Sequence, residues 1–305
     1  MRIRVLGSSA GGGFPQWNCN CANCDGLRNG RIRATARTQS SIAVTANGQD
    51  WLLVNASPDI LTQIRDTPDL QPARAVRDSG IAAVLLMDAQ IDHVTGLIML
   101  RERGSRLPLL ATPEVLSDIA SGFPITGILA HYCGVATTEL PSDGRTITIE
   151  GLPGIEVQTV AIASKPPPYS PFRGNPRAGD NLGLVIQNPA TGGRVFYAPG
   201  LGAVTPELLT LMASCSVLLV DGTFWTEDEM ITQGLSKKKA AEMGHLPQSG
   251  AGGMIEQLDQ LPRSIRKILI HINNTNPMLV EDSAEHAELT RHGIEVARDG
   301  MDIVF

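Results

Sequence analysis

Short apolar runs separated by polar segments recur along the whole chain, and their lengths are typical of strands. The runs that predict strands are 3–6, 41–45, 51–55, 82–87, 109–111, 155–163, 182–186, 195–198, 217–220, 267–271, 293–297 and 301–305. Asn47-Gly48 separates the second run from the third and indicates a hairpin turn. The chain is therefore expected to be rich in sheet.

Helical patterns follow several of these strands. Helices are expected over 58–66, 94–103 and 249–257, and Thr112-Pro113-Glu114 resembles a helix start with proline at the first position. Because strands and helices alternate in both halves, the pattern predicts an α/β fold in which two sheets pack together with helices outside. A length of 305 residues allows either one large domain or two small ones.

The composition is ordinary for a globular protein and excludes several classes. Hydrophobic residues make up 42% of the chain and charged residues 18%, so extensive disorder is not expected. The formal net charge of −6 gives no sign of the basic footprint of a nucleic-acid-binding protein. No apolar run reaches the roughly 18 residues of a membrane span, and the amino terminus begins as a short strand instead of a signal peptide. We expect a cytoplasmic protein with neither nucleic acid nor membrane as a partner.

Three of the five cysteines lie within six positions, in a glycine-rich segment near the amino terminus. In a chain without an export signal, this spacing favours a metal over disulfides. Zinc takes four ligands at the corners of a tetrahedron, and Cys19, Cys21 and Cys24 can supply three of them from one loop at about 10–30. A fourth ligand from elsewhere would close the site, as in structural zinc sites. The alternative is three buried cysteines that bind no metal.

A polar cluster follows the predicted buried strand at 82–87. Carboxylate and imidazole side chains at the carboxyl end of a strand point into the cleft where α/β proteins bind ligands. Asp92 and His93 in this cluster can both bind a metal. Two further apolar runs end in comparable residues, Asp221 and His271, and His245 lies in a polar segment between them. Each histidine alone is more often structural, but their shared context favours a metal site.

Six segments of the chain resemble the metallo-β-lactamase superfamily and, within it, the family of pyrroloquinoline quinone (PQQ) biosynthesis protein B. These segments are 5–19, 87–93, 197–200, 221–225, 243–247 and 270–277. Because they extend over nearly the whole chain, the resemblance implies one metallo-β-lactamase-like domain over 1–305. It further implies the αββα sandwich of that fold, in which two mixed sheets pack with helices outside.

The superfamily signature reads His-x-His-x-Asp-His after a strand, and the chain departs from it. Asp92 and His93 match the signature, whereas Asp88 and Gln90 occupy the positions of its two histidines. Later metal ligands of the superfamily are missing as well. The resemblance therefore implies a reduced site in which Asp92, His93 and His271 hold the active-site metal.

Two histidines and one carboxylate form the ligand set of non-haem ferrous iron, Fe(II), which leaves positions open for dioxygen and substrate. A single zinc with a bound water is the competing interpretation. The resemblance implies a role in PQQ biosynthesis, in which the protein uses iron and dioxygen to hydroxylate the tyrosine of a Glu-Tyr unit from a precursor peptide. Two alternatives stay open: a carrier of PQQ or its precursor without catalysis, and a metal-dependent hydrolase.

Further residues receive roles near these metals. His245 is expected to donate or accept protons, because an imidazole titrates near neutral pH. Asp88 and Asp221 either complete the coordination or orient the histidines. The resemblance implies Asn274 as the fourth zinc ligand, since relatives have a histidine three residues after the counterpart of His271.

The segment 165–180 contains five prolines and no apolar periodicity, which predicts a surface loop that is either functional or disordered. Its cations Lys165, Arg173 and Arg177 are expected to bind the carboxylates of a glutamyl substrate, because arginine binds carboxylates through two hydrogen bonds. Ordinary solvent-exposed charge is the alternative. The expected partners are a small tyrosine-containing peptide or PQQ precursor and dioxygen, and a homodimer is possible.

Overall fold

Fourteen strands form two mixed sheets in the computed structural model, which describes residues 1–305. In chain order they are β1 (Arg2–Gly7), β2 (Ser41–Thr45), β3 (Trp51–Val54), β4 (Ile81–Leu85), β5 (Leu107–Ala111), β6 (Val135–Glu139), β7 (Thr146–Thr148), β8 (Glu156–Ala161), β9 (Leu182–Asn188), β10 (Gly193–Ala198), β11 (Val217–Asp221), β12 (Arg266–Ile270), β13 (Ile294–Val296) and β14 (Asp302–Val304). Every strand predicted from an apolar run is present, with ends that differ by a few residues.

Ten α-helices and three short 3-10 helices lie between the strands. The α-helices are α1 (Ala22–Arg28), α2 (Ile60–Arg65), α3 (Ile91–Val94), α4 (Pro113–Ser121), α5 (Ile125–Leu129), α6 (Pro206–Ala213), α7 (Glu229–Thr232), α8 (Ala240–Met243), α9 (Met254–Asp259) and α10 (Ala284–Arg291). The 3-10 helices are Pro68–Leu70, Thr95–Leu100 and Pro277–Leu279. None of the helices combines the length and the apolar character that crossing a membrane requires.

The residues of the chain pack into two compact units, and each has its own set of strands. The first unit comprises Met1–Gly7, Ser40–Gly193 and Gly300–Phe305. The second unit comprises Ser8–Gln39 and Arg194–Asp299. The expectation of a single domain over 1–305 remains a prediction.

The first unit contains a seven-stranded sheet with the order β14-β1-β2-β3-β4-β5-β6. Strands β14, β1, β2 and β3 pair antiparallel, and β3 to β6 pair parallel. Leu53 pairs with Val84, which pairs with Leu109, and all three side chains are fully buried. Burial of each such side chain contributes roughly 1.5–3 kcal/mol, which stabilises the strands in this register. Asp88 follows β4 at the carboxyl edge of these parallel strands.

The loop predicted at 165–180 connects β8 to β9, which pair antiparallel with each other in the first unit. It contains no helix or strand, as predicted. Ser170 donates to the buried Asp118 carboxylate of α4 at 2.8 Å. Thr112, which caps the amino end of α4, donates to the carbonyl of Gly179 at 2.7 Å. These two bonds fix the path of the loop against α4.

Four parallel strands lie side by side in the second unit, in the order β13-β12-β11-β10. Leu219 of β11 pairs with Tyr197 of β10 and with Ile268 of β12, and all three are fully buried. Such burial explains why these strands are nearly continuous apolar runs in the sequence. Because β11 and β12 are parallel, Asp221 at the end of β11 and His271 directly after β12 lie at the same edge.

Two helices differ from their predicted bounds by more than two residues. The helix predicted over 94–103 is divided into α3 and the 3-10 helix Thr95–Leu100. Gly96 lies at this division, where a Cβ atom would be 2.2 Å from the carbonyl oxygen of Ser57. The helix predicted over 249–257 begins only at Met254, because Gly250 and Gly252 have φ angles of +88° and +72°, which a right-handed helix excludes.

Candidate functional site

The three clustered cysteines converge in the second unit. The Sγ atoms of Cys19, Cys21 and Cys24 lie within 4.8 Å of one another. The Asn274 side-chain nitrogen is 3.1, 3.6 and 3.3 Å from these three sulfurs, respectively. Rotating the amide by half a turn would present its oxygen to the same sulfurs instead. Four side chains thus surround one point, and the donor set fits tetrahedral zinc.

Hydrogen bonds from α1 hold the turn that contains Asn274 beside the cysteines. The Asn23 side chain of α1 donates to the carbonyl oxygens of Asn274 and Asn276 at 3.1 and 2.9 Å. Burial raises the pKa of the Cys21 thiol to about 11, so this thiol stays protonated at neutral pH without a metal. A bound cation would stabilise the thiolate and release the proton. The assignment of Cys19, Cys21, Cys24 and Asn274 as zinc ligands remains a prediction.

His93 is the buried histidine of the first unit, on α3. Its Nδ1 lies 2.7 Å from an Asp88 carboxylate oxygen, and its Nε2 lies 3.8 Å from an oxygen of Asp92. The same Asp88 oxygen accepts the backbone N–H of Gln90 at 2.9 Å, which fixes the carboxylate. Burial alone lowers the pKa of His93, but the charges of Asp88 and Asp92 outweigh it and raise that pKa to about 9. Asp88 therefore orients the imidazole ring.

The other two candidate histidines, His245 and His271, lie close together in the second unit. His245 Nδ1 lies 2.7 Å from Asp221 Oδ2, and His271 Nδ1 lies 2.9 Å from Thr223 Oγ1. The Thr223 hydroxyl donates to Asp221 Oδ1 at 2.6 Å, so its oxygen can accept a hydrogen bond from the Nδ1–H of His271. The two rings stack with centroids 5.5 Å apart. Ligand atoms of Asp221, His245 and His271 lie within 4.8 Å of one another, which is close enough for one metal ion.

At the carboxyl edge of β11 and β12, the backbone segments that follow the two strands lie very close to each other. Gly222 lies between Asp221 and Thr223, and a Cβ atom there would be 3.0 Å from the carbonyl oxygen of Ile270. His271 has a φ angle of +62°, which is uncommon for a residue other than glycine. Non-glycine residues in this conformation occur at functional sites, where the surrounding contacts maintain the strain.

The structure places the predicted active-site residues in two groups. Asp88, Asp92 and His93 lie together in the first unit. The second group is in the second unit and consists of Asp221, His245 and His271. That Asp92, His93 and His271 share one metal remains a prediction. Sequence reasoning missed Thr223, whose only signal is its position two residues after a strand-ending aspartate.

The cations of the loop at 165–180 differ in their contacts. The Arg177 guanidinium lies 2.8 Å from the buried Asp180 carboxylate and 3.4 Å from Asp118. Arg173 donates to the carbonyl of Pro166 and makes no ion pair, and Lys165 is exposed. A substrate carboxylate would therefore compete with Asp180 for Arg177. The substrate-binding role of these three cations remains a prediction.

The sequence is similar to known proteins over its whole length. Residues 50–272 match the family model of the β-lactamase superfamily domain. The chain is 63% identical over 301 residues to coenzyme PQQ synthesis protein B of Cupriavidus necator, covering 99% of this chain and 98% of that protein. It is 57% identical over 301 residues to the protein of the same name from Azoarcus sp., covering 99% of both.

Solved structures agree with this similarity. The crystal structure of Zn²⁺-bound PqqB from Methylobacterium extorquens has a TM-score of 0.89 and 38% identity, and the match covers 100% of both chains. A diphosphatase of the PhnP family has a TM-score of 0.67 at 17% identity, covering 100% of this chain and 97% of that one. The second likeness concerns the fold alone. Together they confirm the metallo-β-lactamase fold that the sequence predicts.

Proposed function

The chain belongs to the family of coenzyme PQQ synthesis protein B, within the β-lactamase superfamily, and on this premise we propose that it acts in PQQ biosynthesis as a metal-dependent hydroxylase. The reaction proposed is hydroxylation of the tyrosine ring in a Glu-Tyr unit of a precursor peptide, with ferrous iron, dioxygen and an external two-electron reductant: one oxygen atom enters the ring and the other is reduced to water. One observation carries the metal dependence: each of the three candidate histidines has its Nδ1 held by the side chain of Asp88, Asp221 or Thr223, and each of these side chains is itself fixed by a further hydrogen bond. Metal-ligating histidines are commonly oriented in this way.

The donor types suit the proposed metal. Imidazole nitrogens and carboxylate oxygens are the ligands of non-haem iron. The proposed ligands are Asp92, His93 and His271, as the family resemblance implies. Iron would supply the one-electron chemistry with dioxygen that amino-acid side chains cannot supply.

Asp221 and Thr223 determine how the histidines of the second unit act. A carboxylate only accepts hydrogen bonds, so His245 keeps its proton on Nδ1 and directs its Nε2 lone pair away from Asp221. His245 is therefore the proposed group that takes a proton from the tyrosine hydroxyl and returns it later. Thr223 positions His271 in the same manner.

The glutamyl part of the proposed substrate carries negative charge, which cations of the loop at 165–180 would bind. Lys165 and Arg173 make no ion pair with the protein, so their charges remain available to a ligand. Arg177 is shared with Asp180 and would contribute less. Arginine can bind a carboxylate through two hydrogen bonds, which would fix the orientation of the substrate.

A structural zinc at the cysteine cluster completes the proposal. Cys19, Cys21 and Cys24 would supply thiolates and Asn274 the fourth ligand. The relative from M. extorquens is described as Zn²⁺-bound, which supports metal binding in this family. The proposed zinc is structural, because four protein ligands leave no position for a substrate.

The test is anaerobic reconstitution with ferrous iron, followed by oxygen, a glutamyl-tyrosine dipeptide and ascorbate as the reductant. We expect bound iron and a product with one added oxygen atom, measured by mass spectrometry. His93→Ala and His271→Ala should abolish both results, whereas His131→Ala, a change of an exposed histidine, should leave them unchanged. Tight binding of PQQ by a protein that neither binds iron nor oxidises the dipeptide would favour a carrier. Unchanged hydroxylation by His93→Ala would contradict the proposal.

A further inference from the structure

An arginine-lined cavity of about 500 Å³ lies in the first unit. It is formed by the segments that precede β4, β5 and β6, at the amino edge of these parallel strands. The charged residues that line it are Arg77, Arg101, Glu102, Arg103 and Arg106. Four guanidinium groups therefore surround a space with a single carboxylate, in a chain whose net charge is −6.

Most of the positive charge of this cavity has no carboxylate in contact with it. Arg77 and Arg106 form neither an ion pair nor a side-chain hydrogen bond. Arg103 donates to the carbonyl of Ile81 at 2.8 Å, which is a neutral acceptor. Arg101 approaches the carboxylate of its neighbour Glu102 only to 3.6 Å. At most one of the four cations is thus paired.

A neighbouring arginine shows how the protein pairs such groups elsewhere. Arg74 lines the adjacent cavity of about 780 Å³ and contacts Asp50 at 2.7 Å and Asp78 at 3.1 Å. Its two carboxylates neutralise its charge and fix its position. Arg77 lies three residues after Arg74 in the sequence, and Arg106 lines the neighbouring cavity. Neither of them has a carboxylate partner of this kind. Positive charges that line a concave surface attract anions, because the shape of the surface concentrates their electric field.

We propose that this cavity binds a compact, multiply charged oxyanion, either a polycarboxylate or a phosphate ester. Guanidinium groups bind carboxylate and phosphate oxygens through paired hydrogen bonds, and several arginines can bind several charged groups of one ligand. The cavity volume is in the range of small-molecule sites. The exposed ring of Tyr132 lines one side, with the Arg101 guanidinium 5.8 Å from its centroid. An apolar face beside the cations would also accommodate the carbon skeleton of the ligand.

This anion site is separate from the candidate metal residues of the first unit. Strand β4 runs from Ile81 at the cavity to Leu85, and Asp88 follows at the other end. Five strand residues span roughly 16 Å, so the two sites lie at opposite edges of the sheet. The proposal therefore stands independently of the proposed hydroxylase activity.

The test is isothermal titration calorimetry of the full-length chain with pyrophosphate and, separately, with citrate at low ionic strength. We expect one anion to bind per chain, and the tighter of the two distinguishes phosphate from carboxylate recognition. Arg77→Gln and Arg106→Gln should each weaken binding about tenfold or more, because each removes hydrogen bonds to a charged ligand. Both variants should keep the wild-type Tm, since neither side chain bonds to the protein.

Arg145→Gln is the matched control, because Arg145 is an exposed arginine of the same unit outside the cavity. Its binding constant should equal that of the wild type. Absence of binding by both anions at millimolar concentration would overturn the proposal. Equal weakening in Arg145→Gln and Arg106→Gln would also overturn it, since the attraction would then come from general surface charge.

Discussion

Replacing Asp221 by asparagine would remove one negative charge from the second unit without changing the size of the side chain. The Asp221 carboxylate is fully buried and accepts four hydrogen bonds. Oδ2 accepts from the Leu201 backbone N–H and from His245, and Oδ1 accepts from the backbone N–H and hydroxyl of Thr223. Asparagine presents an NH2 group at one of these two positions. In either orientation, a buried backbone N–H then faces another donor.

The expected loss of stability follows from these bonds. Hydrogen bonds to a charged group contribute about 1.5–3 kcal/mol each, and one is lost outright while the others become neutral. We therefore expect the free energy of unfolding to fall by roughly 4 kcal/mol. With an unfolding entropy of about 2.1 cal/mol/K per residue over 305 residues, this corresponds to a decrease in Tm of roughly 6 °C.

The proposed proton transfer by His245 should weaken for a separate reason. Without the carboxylate, the His245 ring can move its proton from Nδ1 to Nε2, and the proposed hydroxylation of the dipeptide should slow about 100-fold while iron binding is unchanged. Mass spectrometry of the hydroxylated dipeptide measures the rate. Nitrogen-15 NMR of the metal-free protein measures the tautomer of His245, which a loss of stability alone would not change.

Asp228→Asn is the matched control for this experiment, because it removes the charge of an exposed aspartate in the same unit. Its Tm, its His245 tautomer and its hydroxylation rate should match those of the wild type. If Asp221→Asn keeps the Nδ1–H tautomer of His245 and the wild-type hydroxylation rate, Asp221 does not orient His245 for proton transfer.

Three further predictions concern the zinc cluster, the loop cations and the pH dependence of stability. Cys21→Ser should lower both zinc content and Tm, because structural zinc contributes folding energy, whereas Cys133→Ser should retain the zinc; equal zinc content by mass spectrometry in both would argue against the cluster. Arg177→Ala should lower stability by about 3 kcal/mol in chemical denaturation, since it leaves buried carboxylates without their cation. Arg173→Ala should instead weaken binding of a glutamate-containing ligand at unchanged stability. If Arg173→Ala lowers stability and leaves ligand binding unchanged, the substrate-binding role of Arg173 is refuted. In the metal-free folded protein the pKa of His93 is about 9, against about 6.5 in the unfolded chain. The protonated His93 therefore stabilises the fold by about 3 kcal/mol. This contribution is full below pH 6.5 and is lost as the pH rises through 9. A His93→Gln variant should lack this loss between pH 6.5 and 9, and an identical pH profile would contradict the ion pair.

The strands could be predicted because burial on both faces requires continuous apolar runs, as in β11 and β12. The sequence did not predict β6, because Val135–Glu139 is rich in threonine and largely exposed, so it carries no apolar pattern. The helix predicted over 94–103 illustrates a second limit. The close approach of Gly96 to Ser57 joins residues far apart in the sequence, and no local pattern shows such a contact.

The sequence could predict those residues of the candidate site whose side chains can bind a metal and which directly follow a strand. Asp221 and His271 could be found because a polar, metal-binding side chain follows directly on an apolar run. The hydroxyl of Thr223 could not, since threonine is common and its contacts come from three separate segments. The pairing of Arg177 with Asp118 was hidden for the same reason, because the two residues lie 59 positions apart.

The turn after β12 would couple the proposed zinc cluster to the proposed active-site metal. Only two residues separate His271 from Asn274, and Asn274 contacts all three sulfurs of the cysteine cluster. Because Asn23 holds the carbonyls of this turn, oxidation of the thiols would loosen the backbone that sets the position of His271. An enzyme that uses oxygen would then be exposed to oxidative damage at a cluster outside its reaction centre. Chelators would act in the same way, so activity lost on chelation must be assigned by measuring zinc and iron in the same sample.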